Sequence, residues 1–131
     1  MGPTRLLIVE DNERVRRQLK GLLNADPAFL VCGEAASGKE AVLQAQELRP
    51  DVIILDLAMP GMDGITAARE MSRTLPGLAI FMYTLHASRQ LEIEAKNAGI
   101  SHVVPKPDTS QLITLLREFS QLKKSGSGKP E

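Results

Sequence analysis

The chain has 131 residues, of which 16 are basic, 16 are acidic and one is cysteine. This length predicts a single domain with a substantial core that needs no disulfide or structural metal ion. Since the formal net charge is zero, no broad field attracts nucleic acid, and we expect no direct nucleic-acid binding. The apolar runs are shorter than a membrane span and the start lacks a signal-peptide pattern. We therefore expect a cytoplasmic protein that does not contact a membrane.

Apolar runs alternate with amphipathic segments along the whole chain. The runs predict buried strands at residues 5–9, 29–33, 52–55, 78–83 and 101–104. Helical spacing, capping residues and Pro or Gly stops predict helices at 13–24, from a cap at 37 to 49, from a cap at 63 to about 75, at 88–98, and from a cap at 108 to 122. Single helices between strands imply parallel pairing with right-handed crossovers.

Local signals predict an edge strand, the end of the fifth strand and the end of the domain. The strand at 29–33 is short and bordered by polar turns, which favours a sheet edge. Pro105 is expected to end the fifth strand early. Leu122 is placed on the apolar face of the last helix. Residues 123–131 contain Ser-Gly-Ser-Gly and are predicted to be a flexible tail or a truncated linker after a domain at 1–122.

Polar residues follow four of the five strands: Glu10, Asp11, Asp56, Thr84 and Lys106. In a sheet ordered 2-1-3-4-5 the first and third strands are neighbours, so the three carboxylates would meet at one edge. Three like charges in one cleft repel each other, and a divalent cation removes that conflict. Oxygen ligands of this kind favour Mg2+.

The remaining two residues complete a site that could accept a phosphoryl group. Lys106 supplies a compact positive charge for a phosphate oxygen, and Thr84 supplies a hydroxyl donor. Asp56 can attack phosphorus and form an acyl phosphate, while the cation and Lys106 neutralise the developing charge. Taken singly, each of these residues has an ordinary explanation as a cap, a helix-dipole partner or a strand end. Their joint occurrence at successive strand ends favours the phosphoryl site.

Residues 4–122 resemble the receiver domain of bacterial two-component response regulators. The motifs that carry the resemblance are Val9-Glu10-Asp11, Asp56 to Pro60 with Asp63-Gly64, Thr84, and Lys106-Pro107. The resemblance implies a flavodoxin-like α/β fold, a (βα)5 three-layer sandwich. It also implies Mg2+ bound by Glu10, Asp11, Asp56 and the carbonyl of Ala58, a phosphorylated Asp56, and a cis bond between Lys106 and Pro107.

The same resemblance implies a role and partners. A sensor histidine kinase would phosphorylate Asp56, and the resulting conformational change would alter the surface of the last helices, with a homodimer as a further partner. The segments 31–35 and 81–86 look most like the subfamily that carries a C-terminal helix-turn-helix domain, which implies transcription regulation. The expectation is that the chain is not an enzyme beyond catalysing its own phosphorylation and dephosphorylation.

One position near the site departs from the family pattern, and two others flank the site and could affect its chemistry. Val103 stands where the family usually has Tyr or Phe, and valine has no polar tip and a stiff side chain. Tyr83 is close in sequence but is expected to face away from Thr84, which makes it no obvious substitute. Ala58 and His86 flank the site, and we hypothesise that they tune the lifetime of the acyl phosphate.

Other functions remain as alternatives. The substitution at Val103 leaves open a degenerate receiver that acts only as a phosphorylation-independent docking module. A flavin-binding module of the same fold would need a neutral, hydroxyl-rich loop after the first strand, where this chain has Glu10 and Asp11. A phosphatase using aspartyl-phosphate chemistry would need a second Asp two residues after the first-strand nucleophile, and Asp11 is followed by Asn12 and Glu13.

Overall fold

A computed structural model describes residues 2–127 of the chain. It contains five strands and five helices in strict alternation: β1 (Thr4–Val9), α1 (Glu13–Asn24), β2 (Phe29–Ala35), α2 (Gly38–Leu48), β3 (Val52–Leu55), α3 (Gly64–Thr74), β4 (Ala79–Thr84), α4 (Arg89–Asn97), β5 (His102–Pro105) and α5 (Thr109–Ser127). No helix in this described part is long and apolar enough to cross a membrane.

The five strands form one parallel sheet in the order β2-β1-β3-β4-β5. Helices cover both faces of the sheet, which confirms the flavodoxin-like three-layer sandwich. One core cluster joins the sheet to α2, α3 and α4, and the other joins it to α1 and α5. Strand β3 is central and its four residues are buried, as expected for a strand covered on both faces.

Helix starts follow the local sequence closely. The side chains of Asn12, Ser37, Asp63 and Ser88 each accept a hydrogen bond from the backbone N–H three residues later. Such caps satisfy one of the free donors of a helix N-terminus. In a usual capping box the Glu40 side chain would accept from the backbone N–H of Ser37. Here it accepts from the backbone N–H of Ala36, one residue earlier, at 2.6 Å.

Strand ends differ from the prediction where a neighbouring strand decides them. Strand β2 extends to Ala35 because it keeps pairing with β1 up to Val9. The expectation that Pro105 shortens β5 is wrong: Pro105 is the last residue of β5 and pairs with Thr84. Proline is tolerated there because β5 is an edge strand.

The end of the chain also differs from the prediction. Leu122 is 72% exposed, because the buried stripe of α5 runs through Leu112, Leu116 and Ser120, and Leu122 lies about 200° around the helix from Ser120. The segment predicted as a flexible tail begins inside α5, which continues to Ser127. Residues 128–131 lie outside the described residues.

An ion pair joins the last helix to the edge of the sheet where β1 and β3 begin, opposite the strand ends of the predicted site. The Lys123 ammonium lies 2.6 Å from Asp51 Oδ1, and the backbone N–H of Arg5 donates to Asp51 Oδ2 at 2.8 Å. Partial burial alone would raise the pKa of Asp51, but the hydrogen bonds from Arg5 and Lys123 outweigh it and lower that pKa. Asp51 therefore stabilises the fold in its charged form.

Candidate functional site

The predicted polar residues are held at the carboxyl edge of the sheet by its strand pairing. The backbone N–H of Asp56 donates to the carbonyl of Val9 at 3.1 Å, so β1 and β3 end side by side. Glu10 directly follows β1, and its backbone N–H donates to Ala35 at 3.0 Å. Glu10 and Asp56 are both buried, which is rare for carboxylates without partners.

Three carboxylates converge at this edge. One oxygen from each of Glu10, Asp11 and Asp56 lies within 4.8 Å of the others. Asp11 is exposed, whereas the other two are buried, so the group is reached from one side. A cluster of three carboxylate oxygens with an open side suits a hard divalent cation that keeps some of its waters, as Mg2+ does.

Lys106 faces these acids from across the edge. Its Nζ lies 2.5 Å from Glu10 Oε1 and 3.2 Å from Asp56 Oδ2, and its side chain is 10% exposed. The bond between Lys106 and Pro107 is cis, as expected from the resemblance. The backbone N–H of Lys106 donates to the Thr84 carbonyl at 2.8 Å, which continues the β4–β5 pairing by one residue.

The charges of this group shape one another. Burial raises the pKa of Glu10, and the nearby Asp56 charge acts in the same direction, against the hydrogen bonds from Lys106 and Asn12. Burial alone would lower the pKa of Lys106, but its contacts with Glu10 and Asp56 outweigh burial and raise it. Lys106 is thus held in its charged form by two acids.

Backbone contacts fix the two buried acids. Glu10 Oε2 accepts from the Asn12 N–H at 3.1 Å, and the Arg16 guanidinium donates to the Glu10 carbonyl at 2.7 Å. Asp56 Oδ1 accepts from its neighbour Leu57 at 2.8 Å, which leaves Oδ2 for Lys106. The start of α3 lies against this turn, since a Cβ on Gly64 would collide with the Asp56 carbonyl oxygen and the Leu57 Cα.

The other predicted residues lie beside this group. Thr84 is fully buried at the end of β4, and its hydroxyl accepts from the His86 N–H at 3.2 Å. Ala58 is exposed and lines the cavity over Asp56, as does His86. The roles of Thr84 and Ala58 stay predictions, because the Thr84 hydroxyl is bonded to the His86 N–H and Ala58 is placed only on the cavity wall.

The carboxylates and Lys106 open into a cavity of about 450 Å³. Apolar residues of α1 form one wall, and Leu85, His86, Pro107 and Tyr83 form others. The sequence did not predict Tyr83 here. Its ring belongs to the core cluster of α1 and α5, yet its centroid is 5.9 Å from Lys106 Nζ. The signal available in the sequence was the long side chain of Tyr83 at the end of β4, the strand before β5.

The chain matches a family model described as the response regulator receiver domain over residues 6–117. A curated relative, the protein-glutamate methylesterase/protein-glutamine glutaminase of Alkalilimnicola ehrlichii, is 46% identical over 103 residues, which is 78% of this chain and 26% of the relative. The chain spans about a quarter of the length of this relative and of a second one with the same kind of name from Photobacterium profundum.

Two solved structures are similar over almost the whole chain. A two-component response regulator of the LuxR family from Aurantimonas sp. is 29% identical with a TM-score of 0.87, covering 92% of this chain and 86% of that one. The response regulator domain of Thermotoga maritima CheB is 29% identical with a TM-score of 0.82, covering 98% of this chain and 99% of that one.

These findings bear on two expectations, the absence of enzyme activity and a role in transcription regulation. The expectation that the chain is not an enzyme is contradicted, because the curated relatives are named as methylesterases and glutaminases. Transcription regulation is not supported by the names of those relatives, and the structure from Aurantimonas sp. is named only as a two-component response regulator of the LuxR family. What the findings show for this chain is the response regulator receiver domain.

Proposed function

The chain belongs to the response regulator receiver domain family, and we propose that it is the phosphoryl-accepting switch of a two-component system. In this proposal a sensor histidine kinase in the cytoplasm donates the phosphoryl group, and Asp56 accepts it. The observation that carries the proposal is the position of Asp56. Asp56 lines a cavity, one of its oxygens lies within 4.8 Å of an oxygen from each of two further carboxylates, and its Oδ2 is 3.2 Å from the Lys106 ammonium.

The chemical step follows from that position. A carboxylate oxygen of Asp56 attacks phosphorus, the P–O bond forms, and the P–N bond to the kinase imidazole breaks with its electron pair leaving on nitrogen. Lys106 stabilises the negative charge on the phosphoryl oxygens, because its ammonium already lies between Glu10 and Asp56. The Asp56 turn is fixed by Leu57 and Gly64, so the attacking oxygen is held in place.

The donor set fits a Mg2+ ion. Glu10, Asp11 and Asp56 would hold it, and in our proposal the Ala58 carbonyl adds a fourth ligand. When bound, the ion supplies charge neutralisation for the phosphoryl oxygens. Thr84 would donate its hydroxyl to the same oxygens after giving up its bond with the His86 N–H, and that change would move the loop after β4.

The likeness to protein-glutamate methylesterases favours one kind of output. We propose that this receiver acts in the modification of protein glutamate side chains in chemotaxis, in preference to the regulation of transcription. The support is the identity of 46% over 103 residues to one such relative. The full reading frame decides this directly: a DNA-binding domain after the receiver would contradict it.

The test of the phosphoryl switch uses a small donor. Incubation with acetyl phosphate and Mg2+ should add the mass of one phosphoryl group, and Asp56→Asn should abolish that addition. Asp63→Asn is the matched control, since Asp63 caps α3 outside the carboxylate group and should leave the addition intact. An unmodified parent protein would contradict the proposal and support the docking module without phosphorylation.

A further inference from the structure

Tyr83 occupies a position between the carboxylate group and the last helix. It is the penultimate residue of β4 and is 6% exposed, with its ring among the apolar side chains of α1 and α5. It is the only tyrosine of the chain, and the chain has no tryptophan. None of the three phenylalanines lines the cavity over Asp56, so Tyr83 is the one phenyl ring there among the described residues.

The ring of Tyr83 lies near the Lys106 ammonium. Lys106 Nζ lies 5.9 Å from the ring centroid, within the range of a cation–π interaction. The other partners of that ammonium are Glu10 and Asp56. The third neighbour of the ammonium is therefore the Tyr83 ring, which belongs to the core cluster of α1 and α5.

The hydroxyl of Tyr83 reaches α5 through a chain of hydrogen bonds. Tyr83 Oη lies 2.7 Å from Thr109 Oγ1, and Thr109 Oγ1 donates to the Pro107 carbonyl at 3.3 Å. Either hydroxyl can be the donor of the bond between Tyr83 and Thr109, and Tyr83 is the donor when Thr109 gives its proton to Pro107. Thr109 is the first residue of α5, and Pro107 is joined to Lys106. One side chain thus lies beside the Lys106 ammonium and is hydrogen-bonded to the first turn of α5.

We propose that Tyr83 is a positioning residue that holds Lys106 over the carboxylates and transmits a change in its position to the first turn of α5. The transmission rests on the proposed function, because it requires a phosphoryl group on Asp56 to draw Lys106 toward new oxygens. The positioning does not rest on it. Val103 has no ring to serve either role and packs against the other core cluster, on the side of α2, α3 and α4.

The first experiment needs no phosphorylation. The ring of Tyr83 should shift the NMR signals of the Lys106 side-chain methylenes. Tyr83→Leu should remove that shift, and Tyr83→Phe should keep it because the ring remains. Phe119→Leu is the matched control, since Phe119 packs in the same cluster away from the cavity. Unchanged Lys106 signals in Tyr83→Leu would overturn the positioning of Lys106 by Tyr83.

The second experiment measures the transmission to α5. With acetyl phosphate and Mg2+, Tyr83→Leu should accept the phosphoryl group about three- to tenfold more slowly than Phe119→Leu. Phosphorylation of the parent should change the amide signals of Ser110 and Gln111. The same treatment should leave these signals unchanged in Tyr83→Phe and in Thr109→Ala. Thr109→Ser restores the hydroxyl, so phosphorylation should change the two signals again.

The outcomes separate the two proposals. A parent that takes up no phosphoryl group refutes the proposed function and with it the transmission, while the Lys106 signals still decide the positioning. A parent that is phosphorylated, with the same amide changes in Tyr83→Phe and Thr109→Ala as in the parent, refutes the transmission alone. Equal rates for Tyr83→Leu and Phe119→Leu contradict the positioning of Lys106.

Discussion

Removing the Lys106 ammonium is the sharpest test of how this edge of the sheet is stabilised. Lys106→Met keeps most of the side-chain length but removes the charge between Glu10 and Asp56. The three side chains are 10%, 6% and 9% exposed, so water compensates little for the missing charge. The variant leaves two buried carboxylates facing each other.

The size of the effect follows from the charges and burial. Breaking one partner out of a buried ion pair costs about 3–5 kcal/mol. The group opens into a cavity of about 450 Å³, which admits water and reduces this cost. We expect Lys106→Met to lower the free energy of unfolding by about 2–3 kcal/mol, a large part of the 5–15 kcal/mol that is typical of a domain.

Urea unfolding followed by circular dichroism measures this loss at pH 7 in the presence of EDTA. Lys123→Met is the matched control, because that ammonium lies 2.6 Å from Asp51 but is 47% exposed. The control should cost about 0–1 kcal/mol. Adding Glu10→Gln to Lys106→Met should restore stability, because the amide removes the repulsion.

Mg2+ provides the second arm of the same test. At a hundred times its dissociation constant a ligand stabilises the native state by about 2.7 kcal/mol. The same Mg2+ concentration should stabilise Lys106→Met more than the parent, since no ammonium competes for Glu10 and Asp56. If Lys106→Met costs no more than Lys123→Met in EDTA, or gains no more than the parent from Mg2+, the reasoning is refuted.

Three further predictions concern neighbouring features. Gly64→Ala should cost about 1–3 kcal/mol and slow phosphorylation, because its Cβ would meet the Asp56 carbonyl, whereas Gly21→Ala, with open space around it, should stabilise α1 by about 0.5–1 kcal/mol in urea unfolding. Asp51→Asn should be less stable than the parent at pH 7; because the pKa of Asp51 is lowered from 3.8 by folding, this deficit should shrink as the pH falls below that value, and a deficit independent of pH would contradict the prediction. Ala58→Asn should lengthen the lifetime of the phosphorylated protein, measured as loss of the phosphoryl mass with time, because a larger side chain leaves less room for the attacking water; an unchanged lifetime would end that hypothesis.

The parts of the fold that depend on nearby residues were predictable from the sequence. Ser37 and Asp63 cap their helices with their own side chains, so the signal and the structure are only three residues apart. Strand ends were less predictable. Ala35 and Pro105 belong to strands because they pair with Val9 and Thr84, which are distant in sequence.

The candidate group was predictable to the extent that strand order determines it. Once β1 and β3 are neighbours, Glu10 and Asp56 must meet, and Lys106 follows from the end of β5. Thr84 and Tyr83 show the limit of this reasoning. Alternation along β4 gives the face on which each side chain starts, but not the bond of Thr84 to the loop or the reach of the Tyr83 ring.

Lys106 connects the electrostatics of this edge with its proposed switching. The ammonium is bonded to Glu10 and Asp56, which are also the oxygens that would bind a cation. A cation on those oxygens weakens the hold of the acids on Lys106, and a phosphoryl group on Asp56 offers it new oxygens. Both events act on one side chain, and Tyr83 is the neighbour that joins that side chain to α5. Under the proposed role of Tyr83, the ring that would move with Lys106 lies on β4, and a receiver of this kind would need no ring at Val103 on β5.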